Sequence, residues 1–154
     1  MPVISDPIAL PGRRTTSYPA PLNEGFEGRF KRALTERLGL TQFGVNVTTL
    51  EPGAKSSHRH WHVKEDEFIF ILDGELVLVT NEGEQTLRSG MAAGFPAGEG
   101  NAHHLVNRGG APATYLEIGT RSQDDRAVYP DVDLKAEKIA GQFRFFHKNG
   151  DPYE

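Results

Sequence analysis

A chain of 154 residues with a net charge of −4, 37 % hydrophobic and 25 % charged, has the composition of one water-soluble domain with a real core. The mild acidity argues against a nucleic-acid surface, which needs clustered Lys and Arg, and the basic group Arg29, Lys31, Arg32 and Arg37 reads as a solvated face. The longest apolar run, residues 68–72, is far short of the roughly 20 residues of a membrane span, and the absence of cysteine removes disulfides and sulfur ligands and fits a reducing cytoplasm.

Residues 1–42 read as an N-terminal arm, with five prolines before Gly28, little periodicity and no apolar signal core. Within it, Phe30, Ala33, Leu34, Arg37 and Leu38 fall at helical spacing and stop at Gly39, so a short helix is expected over 27–38. The β region, 43–119, opens with an alternating strand over 43–50 that ends at Pro52-Gly53. Residues 68–72 and 76–79 then read as a hairpin about Asp73-Gly74. One face of that hairpin carries Ile69, Ile71, Val77 and Val79 in phase with Glu67, and the other carries Phe68, Phe70, Leu72, Leu76 and Leu78. With both faces apolar, the second needs cover from the arms or from another subunit, and a homodimer is expected.

Residues 85–87 form a further short strand and 113–119 a closing one. The C-terminal extension, 120–154, begins with a polar loop, allows a helical turn over 134–140, and carries an aromatic segment over 143–147 suited to a sheet edge. Both flanks read as wrapping around the β region.

The stretch that carries chemistry is PGAKSSHRHWHVKEDEFIFILDGE, beginning at Pro52. His58, His60 and His62 alternate, so an extended chain puts all three imidazoles on one face, neighbours roughly 7 Å apart and able to share one metal ion. His60-x-His62, four residues, Glu67, six residues and Gly74 together resemble the first signature of the cupin superfamily, with a gap of six residues from Gly53 to His60 where five is usual. GMAAGFPAGEGNAHHLVN resembles the second signature: Gly90, five residues, Pro96, one residue, Gly98, then His103 with three residues to Asn107. The gap before that histidine is longer than the family's, which leaves His103 or His104 in register; the spacing to Asn107 favours His103. HWHVKEDEF, FGVN, FPAG, LEIGTR and HKNGDPYE further resemble a group of small bacterial single-domain cupins.

The resemblance implies an all-β double-stranded β-helix, a jelly-roll barrel with N- and C-terminal extensions, and ligands converging in its mouth. It implies His60, His62, Glu67 and His103 as ligands of one divalent transition metal ion. Three imidazoles and a carboxylate suit Fe, Mn, Ni, Co or Zn over Ca or Mg. Each ligand's other nitrogen or oxygen then needs a hydrogen-bond partner. His58 reads as a proton shuttle or a solvated group, Glu65 and Asp66 as an acidic turn with Glu65 the fallback ligand, and Trp61 as an outer-face anchor. Phe95 reads as core or pocket lining, and Arg121 as a surface ion pair or an anchor for an anionic substrate.

Two classes of function follow. One is a metal-dependent enzyme acting on a small oxygen-rich molecule, of dioxygenase, decarboxylase or isomerase type. The other is a non-catalytic module that holds a small metabolite such as a sugar or an organic acid.

Overall fold

Period-two alternation dominates the chain, and nearly every regular element is a strand. The computed structural model describes residues 2–154. In chain order the elements are β1 (Arg29–Ala33), α1 (Thr35–Leu38), β2 (Phe43–Leu50), β3 (Trp61–His62), β4 (Glu67–Asp73), β5 (Glu75–Thr80), β6 (Gly83–Arg88), β7 (Ala92–Phe95), β8 (His104–Val106), β9 (Ala113–Thr120), β10 (Arg126–Tyr129), β11 (Leu134–Ile139) and β12 (Gln142–Phe146). They form three sheets in the orders β1-β2-β9-β4-β7, β6-β5-β8 and β12-β11-β10-β3, and all their pairings are antiparallel. This is the expected all-β jelly roll. Among the described residues no helix is long and apolar enough to cross a membrane.

The core lies between the first two sheets, where Leu50, Ile69, Ile71, Leu76, Leu78, Leu105 and Tyr115 are buried. Each such aliphatic side chain contributes about 1.5–3 kcal/mol. A second cluster, Ala127, Tyr129, Leu134 and Ala136, gathers Tyr18 and Leu22 from the arm and Phe143, Phe145 and Tyr153 from the tail. The two chain extensions therefore meet over one end of the barrel.

Three local expectations are corrected. Residues 68–72 and 76–79 are not a hairpin: β4 pairs with β7 and β9, whereas β5 pairs with β6 and β8. Gly74 alone separates the two strands, too short for a two-residue hairpin loop, so the chain turns a corner from one sheet to the other. The inward set is consequently Ile69, Ile71, Leu76 and Leu78, while Phe68 and Leu72 stay about two-fifths exposed on the outer face. The helix expected over 27–38 is strand β1 followed by a single four-residue turn of helix. Pairing of five residues with β2 outweighs the weak helical spacing. The helical turn expected over 134–140 is β11, sandwiched between β10 and β12, and the aromatic segment is the edge strand β12.

The corner imposes a strict requirement. Gly74 has φ +83°, and a Cβ there would lie 2.9 Å from the Ala113 Cβ and 3.1 Å from the Pro112 carbonyl oxygen. Gly74→Ala is expected to cost about 2 kcal/mol or more, combining a left-handed backbone with overlap against packed chain; urea denaturation checks this, and an unchanged midpoint would show that the corner relaxes freely.

Candidate metal centre

An antiparallel bridge fixes the heart of the site. The His60 N–H donates to the His103 carbonyl at 3.1 Å and the His103 N–H to the His60 carbonyl at 2.9 Å. Directly paired residues present their side chains on the same face, and the two rings lie 5.1 Å apart. His62, two residues on, has its ring 5.0 Å from that of His60. Its strand β3 is held by β10 from the C-terminal extension, His62 opposite Ala127. Glu67 enters from the first residue of β4.

The side chains converge on the Glu67 carboxylate. His62 Nε2 is 3.1 Å and His60 Nε2 3.5 Å from Glu67 Oε1, and the His103 Nε2–H donates to Glu67 Oε2. The imidazoles are only 9–12 % exposed. Donor atoms of His60, His62 and Glu67 all lie within 4.8 Å of one another. His103 faces this group, whereas the His104 Nδ1–H turns away and donates to the Ser57 carbonyl at 2.8 Å.

The opposite ring edges are also occupied. His62 Nδ1 donates to Asp125 at 2.5 Å, and Asp125, fully buried, also accepts the Lys64 N–H. His60 Nδ1 donates to the His58 carbonyl at 2.9 Å and faces Ser57 Oγ at 3.2 Å. His103 Nδ1 meets the Asn101 carbonyl at 3.2 Å, and Phe95 stacks on the His103 ring at 3.5 Å. Acceptors on Nδ1 leave the Nε2 edges aimed inward, the arrangement that metal-binding imidazoles require. His60, His62 and Glu67 are therefore placed to hold a metal ion, and two imidazoles with a carboxylate suit a borderline divalent cation.

Electrostatics follow from the same packing. Burial alone would raise Glu67, but the imidazoles of His60, His103 and His62 hold its carboxyl well below the usual range. Burial disfavours the His62 imidazolium, yet Asp125 and Glu67 outweigh it and push His62 up to about 10. Burial would likewise raise Asp125, but its hydrogen bonds from His62 and the Lys64 backbone keep it below the carboxylate norm. A proton and a cation thus compete for the His62 nitrogen.

The group lies in a cavity of about 580 Å³, the size of a small-molecule site. Tyr129 borders it, its ring 5.5 Å from that of His60, and Tyr18 of the arm packs 5.8 Å from Tyr129. Burial pushes both phenols above their ordinary range, Tyr129 well above, so both are neutral hydrogen-bonding groups near pH 7.

Several secondary residues differ from expectation. His58 is half-buried: it donates to the Leu22 carbonyl at 2.8 Å and lies between Tyr18 and Phe26, clamping the arm. Glu65 is buried and accepts from Ser122 and Lys138, which tethers the tail, and its carboxylate also lies within 4.8 Å of donor atoms of His62 and Asp125, in keeping with its reading as the fallback ligand. Trp61 is half-buried and lines a small second cavity with Phe95 and His103. Phe95 serves both expected roles, packing on the core and lining the cavity. Arg121 is exposed, makes no ion pair among the described residues, and packs against Gly44. Asp125, Tyr18 and Tyr129 carried no signal in the sequence, since a polar loop and isolated tyrosines have no period to read.

Comparison with known proteins places this geometry. The family model described as "Cupin domain" matches residues 46–119. A crystal structure from Silicibacter pomeroyi, described as a sugar phosphate isomerase from a cupin superfamily, is 44 % identical over 95 % of this chain and 93 % of its own, with a TM-score of 0.90. A candidate sugar phosphate isomerase from Acidithiobacillus ferrooxidans is 26 % identical over 80 % of each chain, with a TM-score of 0.74. The polyketide cyclase RemF from Streptomyces resistomycificus, 23 % identical over 61 % of this chain and 66 % of its own with a TM-score of 0.53, shares the fold. No curated protein matches the chain. Similarity along nearly the full length, joined to the paired histidine signatures, establishes that the chain belongs to the cupin superfamily.

Proposed function

We propose that this cupin is a metal-dependent isomerase of a small phosphorylated sugar, with His60, His62, Glu67 and His103 holding one divalent ion. The observation that carries the reading is the convergence of three imidazole Nε2 atoms and the Glu67 carboxylate at one wall of a single cavity. The 44 % identical Silicibacter protein, described as a sugar phosphate isomerase, narrows an oxygen-rich substrate to this class. A bound divalent ion supplies Lewis-acid polarisation of adjacent carbonyl and hydroxyl oxygens.

The chain's own groups then orient and protect the substrate. Aldose–ketose interconversion moves hydrogen between adjacent carbons and oxygens with no net oxidation, so neither dioxygen nor a nicotinamide is needed. Tyr129, neutral and beside His60, offers its phenol to a substrate oxygen. Tyr18 and the arm residues clamped by His58 exclude water from one side. Asp125 orients His62 by holding Nδ1–H, which directs Nε2 inward. A second copy of the chain is proposed to cover the outer sheet face, where Phe43, Phe68 and Leu72 are each about two-fifths exposed.

Elemental analysis of protein purified without chelators or a histidine tag is expected to find near-stoichiometric metal that is lost in His60→Ala/His62→Ala; unchanged metal content in the double variant would remove the site. Asp125→Asn is expected to lower stability, because His62 loses its charged partner, and in the folded protein to bind metal about 10–100-fold more weakly; unaltered affinity in a metal titration would show that Asp125 has no orienting role. Metal-loaded protein is expected to interconvert an aldose phosphate and its ketose partner in a proton-NMR assay. Binding that raises thermal stability without any product would instead support the non-catalytic module. Sedimentation at micromolar concentration is expected to give a dimer; a monomer would leave the outer face uncovered.

A further inference from the structure

A second charged group in the same cavity has no partner of opposite sign. Strand β1 pairs with β2 in a register that sets Arg29 opposite Leu50 and Lys31 opposite Thr48. Leu50 and Thr48 are fully buried, and Leu50 belongs to the core. Directly opposed residues share a face, so Arg29 and Lys31 point into the barrel, and both line the cavity that holds His60, His62 and Glu67.

The two cations differ in how they are compensated. Lys31 pairs with Glu117 at 3.1 Å. Arg29 has no carboxylate within 4 Å among the described residues. It is instead held by two backbone carbonyls, Nη1 donating to Ser56 at 2.9 Å and Nη2 to Thr15 at 3.2 Å, with the Phe26 ring 5.5 Å away. Its Nε is buried and has no hydrogen-bond partner. Each terminal nitrogen retains a second N–H, so an oriented, half-buried guanidinium keeps unused donors and a full uncompensated charge inside a cavity.

We propose that Arg29 is the phosphate-binding residue of this site, taking the phosphomonoester of the substrate while the sugar's oxygens meet the metal centre. The adjacency supports it. Arg29 grips the carbonyl of Ser56, and the hydroxyl of the next residue, Ser57, faces His60 Nδ1 at 3.2 Å. A guanidinium fork is the natural partner for a phosphate dianion, through two parallel hydrogen bonds. Arg121, the other unpaired arginine on the cavity, packs against Gly44, whose strand partner Gly119 is also the partner of Glu67, but it is exposed to solvent and its Nη2 donates to Thr35 Oγ1 at 3.5 Å; water screens its charge, whereas that of Arg29 is half-buried.

The proposal rests on the isomerase reading only for the identity of the sugar end. Calorimetric titration of inorganic phosphate into the purified protein is expected to show saturable binding, weakened about tenfold or more in Arg29→Gln, weakened less in Arg29→Lys, which keeps the charge without the fork, and unchanged in Arg121→Gln. Circular dichroism establishes that the variants are folded, and Arg29→Lys serves if the glutamine variant is not. With turnover, Arg29→Gln raises KM for the sugar phosphate at similar kcat and leaves KM for the unphosphorylated sugar alone. Absence of saturable phosphate binding, equal binding by wild type and Arg29→Gln, or loss of binding in Arg121→Gln would overturn it. If no sugar phosphate turns over, the isomerase reading fails while the phosphate titration still decides the role of Arg29.

Discussion

The half-buried carboxylate of Glu67 sits among three imidazoles, and a charge drawn partly out of water must be compensated where it sits. Compensation here is geometric. The reciprocal backbone hydrogen bonds between His60 and His103 fasten two distant segments face to face, and β10 fixes His62 from the other side. Asp125 in turn balances His62. Positive and negative groups thus alternate inward from Asp125 through His62 to Glu67, so the removal of any one leaves its neighbour exposed to the full cost of burial.

Architecture serves that compensation. The core between the two main sheets supplies rigidity and makes no polar contribution to the centre, while the smaller cluster over the barrel end gathers Tyr18, Tyr129, Phe143 and Phe145 around it. Arm and tail are therefore structural walls of the cavity. Glu65 shows how the tail is retained: nearly buried, it accepts from Lys138 and Ser122 and joins the turn before β4 to the C-terminal sheet.

The residues of the candidate centre were legible because three of them share one short stretch whose period is that of a strand, and because Gly74 and the second histidine segment stand at matching distances. Their partners were not. Asp125 lies in a run of polar residues where nothing distinguishes it from Asp124, which is exposed and paired with Lys64; only tertiary placement separates them. Arg29 was hidden for a different reason. Its alternation with Phe30 and Arg32 was masked by the apolar residues that follow at helical spacing, and the cluster of positive charge looked like a solvent face. Asp73-Gly74 misled because the pair signals a reversal of direction but does not say whether the returning strand pairs with the outgoing one or joins another sheet.

The pairing of β3 with β10 has a consequence for assembly. His62 is supported by Asp125, 63 positions later in the chain, across a loop whose closure must precede any benefit from the contact. During vectorial synthesis the histidine strand emerges well before the strand that braces it, and the barrel can pack before the last sheet arrives. Completion of the His60, His62 and Glu67 group is then a late event in maturation, one that reports on the docking of the C-terminal strands rather than on the formation of the histidine motif itself.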